Sequence, residues 1–365
     1  MQAQAGIDIG SIEKELTSLW KQLGDAEGGV IRSCVLNLIV FAEGTKSQPA
    51  LDEALIDITE KHPSRAIVLL ADRANESPSL EAWVTSRCSL SHALSKQVCC
   101  EQITVHAAGS SLKESPSAVA SLILADLPIY LWIKDSLSLS DPLFKRIAEL
   151  SNRVLVDSAS PTGPPLAEIA SYVQSSSRHT PLIDLNWSRI VTWRAVTADC
   201  WDCEDYLPHL NSIERVEIKY SGGLKDNPGV AVRILYFTGW VATRLGWRFI
   251  ERSTSDDQIT RFIFDDGSRQ VVVDLRNVSP GTSDAFIEEI TVATSDGLSL
   301  TVRKSEDRTR LSSEVEFNGQ RKSTRVLGYD QWTDADLLSR EMEILGRDRV
   351  FEKSAALAHT LFKLT

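Results

Sequence analysis

What the chain lacks narrows its function before any motif is weighed. Its 365 residues hold only six cysteines, at positions 34, 88, 99, 100, 200 and 203. They are too few and too unevenly placed for a disulfide framework, so a reducing, cytoplasmic location is expected. The six histidines, His62, His92, His106, His179, His209 and His359, form no HxH or HExxH spacing, and a metal site is not expected. No GxSxG elbow occurs, and His179 and His209 read as ordinary loop or surface histidines. No GxGxxG or GxxxxGK[ST] follows an apolar strand, and the "GDAEGG" of Gly24 to Gly29 precedes the first strand. Without such a loop no row of backbone N–H groups is aimed at a phosphate, so no nucleotide or other cofactor is expected and no catalytic residue is nominated.

A basic patch is also missing. The formal charge is −11, from 39 basic and 50 acidic residues, which repels a polyanion, and the arginine run from Arg303 to Arg310 is broken by Glu306 and Asp307. Nucleic acid is therefore not an expected partner. The N-terminus has no basic start followed by an apolar run and does not read as a secretory leader. The most apolar helical stretch, Val230 to Leu245, carries Arg233 and Arg244 and is short for a bilayer core of roughly 30 Å. It reads as a buried helix, and no membrane is expected.

What is present describes a soluble, two-domain α/β protein, since 365 residues exceed one ordinary core. Residues 1–29 read as an N-terminal helical arm, with Ile12, Leu16, Leu19, Trp20 and Leu23 on one stripe of a helix. Residues 30–180 read as a Rossmann-like, mostly parallel sheet domain. "VLNLIVFAE" and "RAIVLLAD" are continuous apolar strands with a helix between them, the pattern of a parallel pair with a right-handed crossover. Ser115-Pro116 and Asp141-Pro142 open helices, and "LPIYLWIK" and "RVLVDSA" are the strands that follow.

Residues 181–210 read as a Trp-rich connecting helical segment, and 211–365 as an α+β domain with an antiparallel sheet and C-terminal helices. Asp266-Gly267, Asp296-Gly297 and Asn318-Gly319 mark its hairpins. Leu338, Met342 and Leu345 line one face of the terminal helices, and Phe351, Ala355, Ala358 and Phe362 line the next.

Three features invite a functional reading. The stretch "DLNWSRIVTWRAV", Asp184 to Val196, pairs Trp187 and Trp193 with Arg189 and Arg194. Base stacking, a ligand pocket and a structural joint all fit such a pattern, and the joint is the preferred reading. Asp184 can cap the first helical turn, Thr192 can cap a second, and either arginine can lie on an aromatic face. Trp240, Arg244 and Trp247 extend the same aromatic cluster. Cys200 and Cys203 form a CxxC, which as a redox pair would need a lowered thiol pKa; the neighbouring Asp199, Asp202, Glu204 and Asp205 act in the opposite sense. Finally, the carboxyl ends of the first domain's strands, near Asp72, Lys134 and Asp157, are where an open α/β sheet would bind a small molecule, either as a sensor or as an enzyme.

Six segments in order resemble the OpcA family, glucose-6-phosphate dehydrogenase assembly proteins of cyanobacteria and actinobacteria. They are "VLNLIVFAE" from Val35, "DLPIYLW" from Asp126, "VLVDSA" from Val154, "DLNWSRIVTWR" from Asp184, "TGWVATRLGWRF" from Thr238 and "SREMEILGRDRVFEKS" from Ser339. The resemblance implies a non-enzymatic allosteric activator that binds glucose-6-phosphate dehydrogenase, promotes its active oligomer and feeds the oxidative pentose phosphate pathway. The partner surface is expected on "REMEILGRDRVFE", with Arg340, Arg347, Arg349 and Phe351, unless that segment is simply a solvated helix face. The family often has Thr-Pro-Trp-Arg where this chain has Val191-Thr192-Trp193-Arg194, and a Trp where it has Ile133. Cyanobacterial members are linked to thioredoxin, which the resemblance adds as a further candidate partner with Cys200 and Cys203 as the candidate redox pair, but this chain has no cysteine beyond Cys203, which counts against redox control through a C-terminal pair.

Overall fold

The computed structural model describes residues 9–24, 30–32, 34–44, 48–91, 96–175, 179–223, 227–256, 259–280, 282, 285–329, 332–344 and 346–363. The chain folds into two compact units: Met1–Leu185 with Thr333–Arg347, and Asn186–Trp332 with Asp348–Thr365.

The first unit holds α1 (Ile9–Gly24), β1 (Val30–Arg32), β2 (Leu36–Glu43), α2 (Gln48–Lys61), β3 (Ser64–Asp72), β4 (Ser79–Ser91) and β5 (Lys96–Ala108). These are followed by α3 (Ser115–Leu122), β6 (Ile129–Ile133), α4 (Pro142–Ala148), β7 (Arg153–Val156), α5 (Leu166–Ser175) and β8 (Leu182–Asp184). Its sheet runs β1-β5-β3-β2-β6-β7-β8, with β4 on β5 as the antiparallel pair. Strands β2 and β3 are buried along nearly their whole length. That burial explains why their sequences are continuously apolar rather than alternating: a parallel sheet is covered on both faces. Asp141 accepts a hydrogen bond from the Leu143 amide and caps α4, with Pro142 in the first turn.

The second unit holds α6 (Leu185–Ser188), α7 (Val191–Asp199), β9 (Ile213–Ser221), α8 (Pro228–Arg244), β10 (Arg248–Asp256), β11 (Ile259–Asp265) and β12 (Gln270–Ser279). Then come β13 (Phe286–Thr294), β14 (Leu298–Lys304), β15 (Arg310–Phe317) and β16 (Gln320–Gly328), and the chain continues into α9 (Asp334–Met342) and α10 (Arg349–Phe362). The order is β10-β11-β12-β9-β13-β14-β15-β16, antiparallel except where β9 meets β12. All three expected hairpin turns form. Gly267, Gly297 and Gly319 have φ of +96°, +95° and +72°, values that cost a glycine little. Helix α8 is buried over most of its length and packs on α10 so closely that a Cβ on Gly239 would lie 2.6 Å from the Ser354 carbonyl oxygen.

The C-terminal helices differ from expectation. Residues 211–365 were expected to form one domain, but α9 packs with the first unit while α10 stays in the second. Chemistry explains the division. Leu337, Leu338 and Met342 are buried, Tyr130 donates its hydroxyl to the Met342 carbonyl at 2.6 Å, and Arg153 pairs with Glu341 at 2.6 Å. In α10 Phe351, Ala355 and Ala358 are buried as expected, whereas Phe362 is exposed and Leu361 supplies the last buried position. Leu345 and His92 lie outside the described residues.

Candidate functional site

The topological switch point of the first sheet lies between β2 and β6, where an open α/β sheet would receive a ligand. Here that point is filled from within. Asp135, just past β6, accepts a hydrogen bond from the Glu43 amide at 3.1 Å, and Thr162 donates to the Asp135 carboxylate at 3.4 Å. The arrangement puts a carboxylate against a backbone amide at the end of the first central strand, where a dinucleotide fold would place a phosphate. The other strand-end residues are also engaged within the unit. Asp72 accepts from the Ala74 and Asn75 amides, Lys134 pairs with Asp334 at 3.1 Å, and Asp157 accepts from the Ala159 amide.

A groove of about 510 Å³ in the same unit lies along α4 and α5, and several of its polar groups are bonded within the unit. Glu168 accepts from the Leu139 amide and the Ser138 hydroxyl. Burial pushes the Tyr172 phenol up to about 12, and its hydroxyl donates to the Thr180 carbonyl. His179 stacks on the Tyr172 ring.

The Trp/Arg stretch forms two short helices, α6 and α7. Asp184 is buried at the end of β8, where its carboxylate accepts from the Ser158 amide at 3.0 Å. Trp187 is 1% exposed. The Arg194 guanidinium stacks 3.5 Å from its ring centroid, its indole N–H donates to Asp348, and its ring meets Tyr236 and Phe351. Trp193 packs edge-on against Tyr329, and Trp240 and Trp247 lie tilted against Phe237 and Phe264, while Arg244 is exposed. Trp187, Trp193 and Trp247 are core anchors of the second unit, and Trp240 is half-buried. Thr192 does not cap α7: it lies inside the helix, whose cap position is Ile190 and carries no side-chain hydrogen bond.

Arg189 lines a cavity of about 240 Å³ in the second unit with Arg233, Lys304 and Arg308. Its walls include Phe286, Tyr329 and Trp332, and Val191 and Thr192 place the first turn of α7 beside it. Lys304 Nζ is 4.7 Å from the Phe286 ring centroid and 4.9 Å from that of Tyr329, and the Arg308 guanidinium is 4.1 Å from Phe286. The sequence reading missed this cluster because its members come from α7, α8, β13, β14 and the turns beyond β14 and β16. Of these, Arg189, Val191 and Thr192 lie in the Trp/Arg stretch, and Lys304 and Arg308 in the arginine run that reads as a solvated turn.

The expected partner surface is divided. Arg340 is exposed on α9, and Arg347 donates to the His179 carbonyl. Arg349 is exposed at the start of α10. Phe351 is fully buried against Trp187 and Tyr236 and presents nothing to a partner; the apolar stripe of α10 required it. Cys200 and Cys203 are free and half-buried. Burial, with the nearby Cys203, pushes the Cys200 thiol up to about 11, the opposite of what a redox nucleophile needs.

Comparison with known proteins agrees with this architecture. The family model for the N-terminal domain of the glucose-6-phosphate dehydrogenase subunit matches residues 56–174, and the model for the C-terminal domain of the same subunit matches 180–355. The chain is 29% identical over 322 residues to the OxPP cycle protein OpcA of Nostoc punctiforme, covering 84% of this chain and 67% of that protein. It is 27% identical over 311 residues to OpcA of Synechococcus elongatus, covering 82% and 68%. It thus spans about two-thirds of the length of these relatives. Among solved structures, the transcriptional regulator Gal80p of Kluyveromyces lactis aligns with a TM-score of 0.51 at 12% identity, over 91% of this chain and 89% of Gal80p, a likeness of fold alone. With both family models matching in series, the chain belongs to the OpcA family of glucose-6-phosphate dehydrogenase assembly proteins.

Proposed function

We propose that this chain has no catalytic role of its own and acts by binding glucose-6-phosphate dehydrogenase and favouring its active oligomer, which feeds the oxidative pentose phosphate pathway. The observation that carries the reading is the match of both halves of the chain, in series, to the two glucose-6-phosphate dehydrogenase family models. The geometry of the first unit supports it. A fold that elsewhere opens a ligand crevice at its switch point here turns the Asp135 carboxylate onto the Glu43 amide, Lys134 pairs with Asp334, and Asp72 and Asp157 accept from backbone amides.

An activator of this kind must bind the active state of the dehydrogenase more tightly than the inactive one, because equal affinity shifts no population. A tenfold preference is worth about 1.4 kcal/mol and moves the oligomer equilibrium by the same factor. Burial pushes the Cys200 thiol up to about 11, which disfavours Cys200 as an attacking thiolate.

The test mixes the purified chain with purified dehydrogenase. Light scattering after size exclusion should find a joint complex, and the Michaelis constant for glucose 6-phosphate should fall as the chain is added. No complex together with unchanged kinetics at saturating chain would sink the reading.

A further inference from the structure

The eight-stranded sheet of the second unit has two faces with different contents. One buries Val216 and Ile218 of β9, Ile290 and Val292 of β13, and Leu300 and Val302 of β14. Because side chains alternate along a strand, the residues between these stand on the other face, and the strand register aligns them in rows across the sheet. That second face stays accessible: the side chains of Arg215, Arg276 and Arg303 are 47%, 40% and 64% exposed. We propose that it is a dimer interface, covered in solution by the same face of a second copy of this chain.

Three properties of the face select that occupant. The first is charge. The chain carries −11, so two copies repel one another through their average surface. On this face Asp274 is held by Arg215 and Arg261, and Glu289 by Lys219 and Arg303. Arg276 pairs with Glu217 and Arg321 with Glu314, while Glu251 and Glu316 stand in the same rows. Cations and carboxylates are therefore equal in number, and a neutral face lets an acidic chain meet itself without that repulsion.

The second property is a low cost of drying. The ion pairs are made within one chain, and Asp274 is fully buried before any partner arrives, so stacking takes few uncompensated charges out of water. At the middle of the face, Thr291 and Thr301 oppose each other with their hydroxyls 3.3 Å apart, and Ala293 opposes Ser299 beside them. Small uncharged residues at the centre with charge around them is the pattern of a protein–protein interface, whose core is depleted of charge.

The third is area. Eight strands of seven to ten residues make a face of roughly 34 by 25 Å. That matches the area of about 800 Å² that each partner buries in an interface of standard size. A two-fold axis through Thr291 presents the same patch from both copies. This proposal goes beyond the assembly reading and does not depend on it.

The test is sedimentation equilibrium of the full chain, without the dehydrogenase, over a range of protein and salt concentrations. We expect a reversible monomer–dimer equilibrium that tightens as salt is raised, because salt screens the repulsion between two acidic chains. Thr291→Arg sets a bulky cation against its own copy at the centre and should weaken the dimer by about tenfold or more, whereas Thr291→Val should retain it. Ala293→Glu attacks the same patch with the opposite charge and decides the matter if Thr291→Arg unfolds. A monomer at every concentration would overturn the proposal, as would a dimer that dissociates with salt or is unchanged in the folded variants. If the chain alone is monomeric and Thr291→Arg loses the dehydrogenase, the occupant is the dehydrogenase and the proposal falls. Because the measurement omits the dehydrogenase, failure to form a complex with that enzyme leaves this result standing, and the converse also holds.

Discussion

Each unit carries an eight-stranded sheet, yet the two sheets handle charge in opposite ways. In the first, parallel strands are buried on both faces, and the buried charges there include two matched pairs, Arg65 with Glu101 and Arg153 with Glu341, both at 2.6 Å and nearly inaccessible, and the Asp184 carboxylate held by a backbone amide. In the second, β9 buries Ile213, Val216, Ile218 and Tyr220 and turns Glu217 and Lys219 to the other face. There a lattice of ion pairs links Arg215 and Arg261 to Asp274, and Lys219 and Arg303 to Glu289. A sheet covered twice must exclude charge or neutralise it completely, whereas a sheet covered once can array it. The first unit thus neutralises its buried charge locally, and the second arrays charge across one face of its sheet.

The contrast can be broken at its anchors. Trp187→Ala removes a fully buried ring together with its contacts to Arg194, Tyr236 and Phe351 and should cost about 3–5 kcal/mol. Hydrogen exchange should speed up across the second unit and leave the first largely protected. Glu341→Ala leaves Arg153 buried without its carboxylate, at a cost of about 3–5 kcal/mol, and the faster exchange should now fall in the first unit. Exchange spread evenly over both units in either variant would refute the division.

Gly239→Ala should cost about 1–3 kcal/mol, because its methyl meets backbone rather than a flexible side chain. Denaturant unfolding read by second-unit fluorescence measures it. Acid should also separate the units. Burial alone would raise the Asp274 and Glu289 carboxyls, but hydrogen bonds from Arg261 and Arg215, and from Lys219 and Arg303, outweigh it and hold both below the usual carboxylate range. Their stabilisation is fully present above the unfolded value of about 4 and is lost as pH falls through the lowered folded values. Melting followed from pH 6 down to pH 2 should show the second unit weakening below about pH 4. The smallest effect should come from Arg303→Ala, whose side chain is largely exposed and whose loss should cost roughly 0–1 kcal/mol. A loss as large as that of Glu341→Ala would erase the distinction between an arrayed charge and a buried one.

Local chemistry was legible in the sequence. Asp266-Gly267, Asp296-Gly297 and Asn318-Gly319 announced their turns because positive φ is a property of the residue, and Asp141-Pro142 announced the start of α4. The continuous apolar runs of β2 and β3 declared a doubly covered sheet. The site was much less legible. Phe351 looked like a contact residue because it stands among arginines, but helical periodicity turns it inward. Thr192 looked like a cap, but the chain enters α7 one residue earlier, with Val191.

The sequence by itself determined the two kinds of sheet, the hairpins and the family, because these depend on neighbours within a turn, a strand or a short motif. Tertiary structure alone decided that α9 leaves the segment it follows to pack with the first unit, where Arg153 and Tyr130 hold it. It alone gathered Arg189, Arg233, Lys304 and Arg308 around one cavity. Both outcomes depend on residues far apart in the chain, and no spacing along a sequence encodes which distant charges a folded core will bring within reach.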